Sequence, residues 1–249
     1  MYQSERLDKI LKILEENGYT TVKYLTETLN YSNATINRDL TLLESKKLVK
    51  RSYGGVELDH SKSIPLVFRY HKMKNAKMKI ARTAAEFIED GDTIFIDATT
   101  TTQYIGQYIE NKKDVTVITN NMALATYLGD MGIEVICLGG KIVESPYMLS
   151  GVQTVENARK LHADKVFFST AGILDNGKIV CSESYYLLML TMLENSDKSF
   201  FLVDKGKINP EGINCLCDID DVDFVISDVN LKEIIKKDCK STEFITARK

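Results

Sequence analysis

No stretch of this chain approaches the roughly 18 unbroken apolar residues of a membrane-spanning helix. The N-terminus also lacks the apolar core of a secretory signal, so a cytoplasmic protein with no membrane partner is expected. No Gly-x-Gly-x-x-Gly follows an early strand and no Walker-type Gly-Lys-Ser/Thr occurs, which removes the fingerprints of NAD and ATP sites. Histidine is scarce: His60, His71 and His162 are the whole set, and they stand at no ligand spacing. Cysteines are odd in number, at 137, 181, 215, 217 and 239. Cys215 and Cys217 are separated by one residue rather than two, and no histidine lies near them to complete a tetrahedral site. Neither a metal nor a cofactor is expected, and the thiols read as reduced.

What the chain does have is 249 residues, 44% hydrophobic and 27% charged, enough for a small N-terminal module and a larger second domain. Its net charge of −3 is unevenly distributed. Residues 1–59 balance to zero, residues 60–85 carry seven Lys/Arg and no acid, and the remainder carries −10. A local basic patch can hold phosphate while the acidic body suppresses loose association.

The first sixty residues read as helix, helix, helix and ribbon. Leu7, Ile10, Leu11 and Leu14 fall at helical spacing, with Ser4 as cap and Asn17-Gly18 as a left-handed exit. Thr21 caps a second helix, buried through Val22, Leu25 and Leu29, and Asn30-Tyr31 makes a tight turn. Ser32 caps a third helix whose Ile36, Leu40 and Leu43 share one face. Ser32, Asn33, Thr35, Asn37, Arg38 and Thr41 supply short polar groups near its start and outer side, as major-groove reading requires. Leu48 to Leu58 has β character with Gly54-Gly55 at its bend, and Lys50 and Arg51 are placed to meet a phosphate backbone. The segment is therefore expected to be a winged helix-turn-helix that binds double-stranded operator DNA. A three-helix protein-binding module is the plainer alternative.

The run Thr35-Ile36-Asn37-Arg38-Asp39-Leu40, the wing Leu48 to Gly55 and the opening Arg6 to Leu14 together resemble the DeoR family of bacterial transcriptional regulators. Asn37-Arg38 stands where that family commonly has two consecutive arginines, so the operator sequence is expected to differ. Ser61 to Lys79, with Pro65 and the basic residues Lys72, Lys74, Lys77 and Lys79, reads as an interdomain link that adds phosphate contacts or is simply solvated. The expected division is residues 1–58 for the DNA-binding domain, 59–75 for the linker and 76–249 for the second domain.

Beyond Thr93, short apolar runs alternate with helical patterns. Strands are expected at Thr93–Ile96, Val115–Ile118, Glu134–Leu138, Lys165–Ser169, Ser199–Val203 and Asp223–Ser227. Helices are expected at Thr102–Ile109, Asn121–Leu128 and Glu183–Leu193. That alternation implies an α/β fold with a mostly parallel sheet, whose ligands bind at the carboxyl ends of the strands. Those ends are polar: Asp97-Ala98-Thr99-Thr100-Thr101-Thr102, Thr119-Asn120-Asn121, Gly139-Gly140-Lys141 and Asp204-Lys205-Gly206-Lys207. Together they suit one polyhydroxy, anionic ligand.

The same loops resemble the family's C-terminal sensor domain, which is similar in fold to ribose 5-phosphate isomerase and binds phosphorylated sugars or related metabolites. The resemblance rests on Asp97 with Thr100 and Thr101, Thr119-Asn120, Gly139-Gly140, Gly172, Glu183, and Asp204 with Lys207. It implies a repressor of a carbohydrate-catabolism operon, a homo-oligomer (dimer or tetramer), with Asp97, Thr99–Thr102, Asn120, Gly139, Gly140, Lys141, Gly172, Glu183, Asp204 and Lys207 around the effector. Thr99 replaces a usual glycine, and a usual lysine-arginine pair is missing after Glu183, which points to a different effector. A sugar-phosphate isomerase using Glu183, Asp204 and Lys207 is the enzymatic alternative.

Overall fold

The computed structural model describes the chain apart from residues 1–2, 18, 47, 53–54, 59–72, 145–147, 211–213 and 248–249. The expectations for Gly18, Gly54 and most of the basic connector, Pro65 included, lie outside the described residues. The chain divides into two compact units, Met1–Lys72 and Met73–Lys249.

The first unit runs α1 (Gln3–Asn17), β1 (Tyr19–Thr21), α2 (Val22–Leu29), α3 (Asn33–Ser45), β2 (Val49–Ser52) and β3 (Gly55–Leu58). Apolar side chains at helical spacing meet in one core: Ile10 and Leu14 of α1, Leu25 of α2, and Ile36, Leu40 and Leu43 of α3 are fully buried. Each contributes about 1.5–3 kcal/mol relative to exposure. Caps fix the register between helices. Thr21 accepts from the Tyr24 N–H at 3.1 Å, Asn30 takes a left-handed φ of 56°, and Ser32 accepts from the Thr35 N–H at 3.2 Å. Two local expectations change. Helix α1 already includes Gln3, so Ser4 sits inside its first turn rather than capping it. Strand β1, which has no three-residue signature of its own, forms because it pairs antiparallel with β3, giving the order β1-β3-β2.

The second unit opens with α4 (Lys74–Ala85), followed by β4 (Thr93–Ile96), a 3-10 turn Thr102–Tyr108, β5 (Thr116–Thr119), α5 (Met122–Asp130) and β6 (Glu134–Cys137). Then come β7 (Lys141–Glu144), β8 (Met148–Ser150), α6 (Val152–Arg159), β9 (Ala163–Phe168), β10 (Gly172–Ile173), β11 (Lys178–Cys181) and α7 (Glu183–Glu194). The unit closes with β12 (Ser196–Val203), a 3-10 turn Lys205–Lys207, β13 (Asn214–Asp218), β14 (Phe224–Ser227), α8 (Leu231–Ile234) and β15 (Glu243–Thr246). Seven strands form one sheet in the order β15-β14-β12-β9-β4-β5-β6, and every pairing in it is parallel. Alternate residues feed two cores: Phe95, Phe168 and Phe201 pack on one face, Ile94, Phe167 and Phe200 on the other.

All six expected strands of the sheet are present within two or three residues at each end. Those at β7, β8, β10, β11, β13 and β15 were not expected. The segment Thr102–Tyr108 is a 3-10 turn rather than the expected α-helix. Helix α4 begins at Lys74, inside the expected linker. Lys77, spaced three and four residues before Ile80 and Ala81, is carried onto the same buried side and is only 3% exposed. Burial removes Lys77 from any role as a DNA-backbone contact.

Candidate functional site

In the first unit, the start and outer side of α3 are the candidate reading surface. Ser32, Asn33, Arg38 and Thr41 are exposed, and Thr35 is half-buried with its hydroxyl 2.9 Å from that of Ser32. Asn37 is half-buried rather than turned fully outward. Its amide donates to the Asn33 carbonyl at 2.9 Å, and its Oδ1 accepts from the Arg51 guanidinium. Strand β2 and helix α3 are thus tied together through the position where the sequence departs from an arginine pair. Lys50 remains exposed.

Asp39 escaped the sequence reading as a structural residue. It is fully buried on the inner side of α3, where Arg6 Nε lies 2.5 Å from Oδ2 and Gln3 donates to Oδ1 at 3.2 Å. Arg6 also lies 4.7 Å over the Tyr31 ring. The carboxylate raises the pKa of the Arg6 guanidinium through their hydrogen bond. The sequence signal was an acid between Ile36 and Leu40 on a helix, facing a helix with one arginine at its start.

In the second unit, chain order runs from β4 outward to β5 and β6, then returns to β9 on β4's other side. Strand order therefore reverses between β4 and β9, the position where open parallel sheets hold ligands beyond their carboxyl ends. The polar groups gather there. Asp97, fully buried after β4, accepts at Oδ1 from the Thr99 hydroxyl at 2.9 Å and from the Thr102 hydroxyl, and at Oδ2 from the Ser169 N–H at 3.3 Å. Burial pushes the Asp97 carboxyl up to about 6, against the lowering effect of those hydrogen bonds. Lys207 donates to the Ser169 hydroxyl at 2.7 Å and to that of Thr101 at 3.3 Å, and Lys77 donates to that of Thr100 at 2.9 Å.

Asp97, Thr99, Thr100, Thr101, Thr102 and Lys207 are therefore brought together. Lys77 and Ser169 join them without having been anticipated. Gly172 lies against this cluster because a Cβ there would fall on the Lys207 carbonyl, so only glycine allows β10 to approach the turn. Asp204, 2% exposed, accepts from the Gly206 N–H at 2.9 Å with one oxygen; its other oxygen has no partner among the described residues. Asn120 donates to the Leu149 carbonyl at 2.9 Å, while its Oδ1 is buried and unpartnered in the same sense. Asn121 caps α5 through Oδ1 and leaves a buried Nδ2 unpartnered. Buried polar atoms of this kind are costly in a native protein unless something else meets them.

The remaining expected residues have other surroundings. The Gly139 carbonyl accepts from the Thr154 hydroxyl at 2.7 Å, and a Cβ on Gly140 would strike that same side chain, so the glycine pair serves as a seat for α6. Lys141 is exposed on β7 and pairs with Ser150. Glu183 is exposed at the start of α7. None of these four residues has a described hydrogen bond to the Asp97 cluster.

Residues 6–62 match the family model described as the DeoR-like helix-turn-helix domain, and residues 72–229 match the DeoR C terminal sensor domain. The chain is 32% identical to the HTH-type transcriptional repressor GlcR of Bacillus subtilis (strain 168), over 92% of this chain and 89% of that protein. It is 29% identical to the lactose phosphotransferase system repressor of Streptococcus mutans serotype c, over 98% and 100% respectively. Among solved structures, ribose 5-phosphate isomerase from Plasmodium falciparum aligns with a TM-score of 0.42 and 17% identity, over 57% of this chain and 55% of that enzyme, so the chain spans about half of the enzyme's length.

Proposed function

This chain belongs to the DeoR family of transcriptional regulators, with both the helix-turn-helix and the sensor domain, and from that membership we propose that it represses a carbohydrate-use operon under the control of a phosphorylated sugar. The observation that carries the proposal is the meeting of Lys207 with the hydroxyls of Thr101 and Ser169 at the strand-order reversal, in a chain whose other unit is a winged helix-turn-helix. Ammonium and hydroxyl donors at the ends of parallel strands match a phosphoryl group. The unpartnered atoms of Asn120, Asn121 and Asp204 offer two acceptors and one donor to ligand hydroxyls. A relative named as the lactose phosphotransferase system repressor supports a carbohydrate context, and one named as the repressor GlcR supports repression.

On the DNA side, Arg38, Thr41 and Asn33 are proposed to address base edges, with Lys50 on the backbone. A homodimer or tetramer would present two α3 helices to half-sites about one DNA turn, roughly 34 Å, or a multiple apart. Effector control is limited by the difference in the ligand's affinity for free and operator-bound protein. The test is a gel-shift titration on the chain's own upstream DNA, repeated with pentose and hexose monophosphates. Operator binding relieved by one of them supports the proposal. Binding that ignores the whole panel, or steady turnover of any member, defeats it.

A further inference from the structure

Strand β8 is buried at Met148, Leu149 and Ser150, but its partner β7 is exposed at Lys141, Ile142 and Val143. Neighbours on a strand point to opposite faces, so a ribbon covered on one side should bury either Ile142 or Val143. Neither is buried. The pairing slips by one residue between Ile142 and Glu144, a bulge of the kind that re-aims side chains. Among the described strands β7 pairs with β8 alone, so its outer edge is open.

Exposed apolar side chains concentrate around this ribbon. Val152, Leu187 and Ile142, at 81%, 60% and 49%, are the three most exposed large apolar residues among those described. Ile142 pairs with Leu149, next to Ser150, and Val152 follows Ser150 by two residues. The Ser150 hydroxyl donates to the Ser184 carbonyl at 3.2 Å, about one helical turn before Leu187 on α7. Apolar exposure gathered in this way marks an interaction surface. In sequence β7 reads Lys-Ile-Val-Glu, with opposite charges at its two ends. Such a strand complements itself. A half-rotation about a point between Ile142 and Val143 sets position 144 of a second copy opposite Lys141, and its position 143 opposite Ile142.

We propose that β7 is the centre of a two-fold contact between two copies of this chain, with the β7 strands antiparallel and Val152 and Leu187 at the margin. The order of charges picks the occupant, because a second copy presents the reversed order by symmetry. Opposite charges then meet at both ends and β-branched side chains meet in the middle, each a favourable cross-strand pair. A four-residue strand alone falls short of the roughly 800 Å² per partner that a stable interface buries. Val152 and Leu187 are the apolar side chains that widen it. The contact holds whatever the effector is.

Sedimentation velocity of the full-length protein without DNA tests the contact. Lys141→Glu and Glu144→Lys each set like charges opposite one another at both symmetry-related ends, and each raises the dissociation constant of one assembly step about tenfold. Mixed in equal amounts, the two variants assemble with a dissociation constant within about threefold of wild type, because the like charges of one copy now meet their opposites on the other. Ile142→Lys weakens the same step further than either reversal. A wild type that stays monomeric at its highest soluble concentration overturns the proposal. So do single reversals that leave every assembly step within twofold, or a mixture no tighter than its components; both results point to another edge, such as β6, or to a different protein as the occupant. Should Glu144→Lys fail to fold by circular dichroism, Lys141→Glu and Ile142→Lys decide, since both of those positions are exposed.

Discussion

Replacing Lys207 with methionine isolates the charge at the centre of the effector site, because the stem is kept and only the ammonium is lost. Lys207 joins three segments through its bonds to Thr101 and Ser169. Losing two such bonds costs the unliganded protein on the order of 1 kcal/mol each. A charge-assisted bond to a phosphoryl oxygen is worth about 1.5–3 kcal/mol, so effector affinity falls about 10- to 150-fold. At a sugar-phosphate concentration 100 times the wild-type Kd, binding stabilises the native state by about 2.7 kcal/mol. For a unit of this size that is a rise in Tm of about 5–11 °C. If the affinity drops by about 100-fold, the same concentration equals the variant's Kd, and the gain shrinks to about 0.4 kcal/mol, or about 1–2 °C. Differential scanning calorimetry with and without ligand reads both numbers on one sample. A variant that keeps the full ligand-induced rise refutes the placement of this ammonium on the effector. A variant whose unliganded Tm collapses by far more than the two lost bonds account for shows that Lys207 is structural.

Three further outcomes follow from the same geometry. Asp39→Ala leaves the Arg6 guanidinium without its buried partner, which costs about 3–5 kcal/mol; urea titration followed by circular dichroism should show the first unit melting early, and a loss below about 1 kcal/mol would show that the pair contributes little. Lys50→Ala should lower the log-log salt slope of operator binding by about 0.9, as for one lost phosphate contact, whereas Arg51→Ala should also change affinity through Asn37; equal effects in filter binding at several salt concentrations would contradict the Arg51–Asn37 tie. For Asp97, the folded pKa is raised from 3.8 to about 6, so the native state holds the proton more tightly than the unfolded chain. Its contribution to stability therefore grows as pH falls through about 6 towards 4 and is lost as pH rises. The Tm of wild type minus that of Asp97→Asn should increase from pH 7 to pH 5, and a flat difference would contradict the burial of this carboxyl.

The N-terminal unit was legible because its elements are set by local chemistry. Thr21 and Ser32 cap, Asn30 turns, and Ile36, Leu40 and Leu43 repeat at helical spacing, so neighbours in sequence decide the outcome. In the second unit the strands were legible for the same reason: an apolar run long enough to cross a buried sheet announces itself. Strands β1 and β15 exist through pairing with segments well away in the chain, as Thr20 does with Val56, whereas β7 and β10 are short arms of hairpins with the neighbouring β8 and β11.

The candidate site divides along the same line. Sequence alone drew attention to Asp97, the threonines and Lys207, because polar residues directly following an apolar strand fall at its carboxyl end whatever the strand order. Only the tertiary structure showed that β4 and β9 are neighbours. That adjacency brings Ser169 to Asp97 across 72 residues of chain, and the pairing of β9 with β12 brings it to Lys207 across 38, while Gly139 and Gly140 go to a helix seat. The lysines of the connector make the point most plainly. As a string they are a run of positive charge, but once Lys74 starts a helix, its period carries Lys77 inward with Ile80 and leaves Lys79 exposed. Charge and pattern are properties of the sequence; which side of a helix meets the sheet, and which loop lies opposite, depends on packing between residues far apart in the chain.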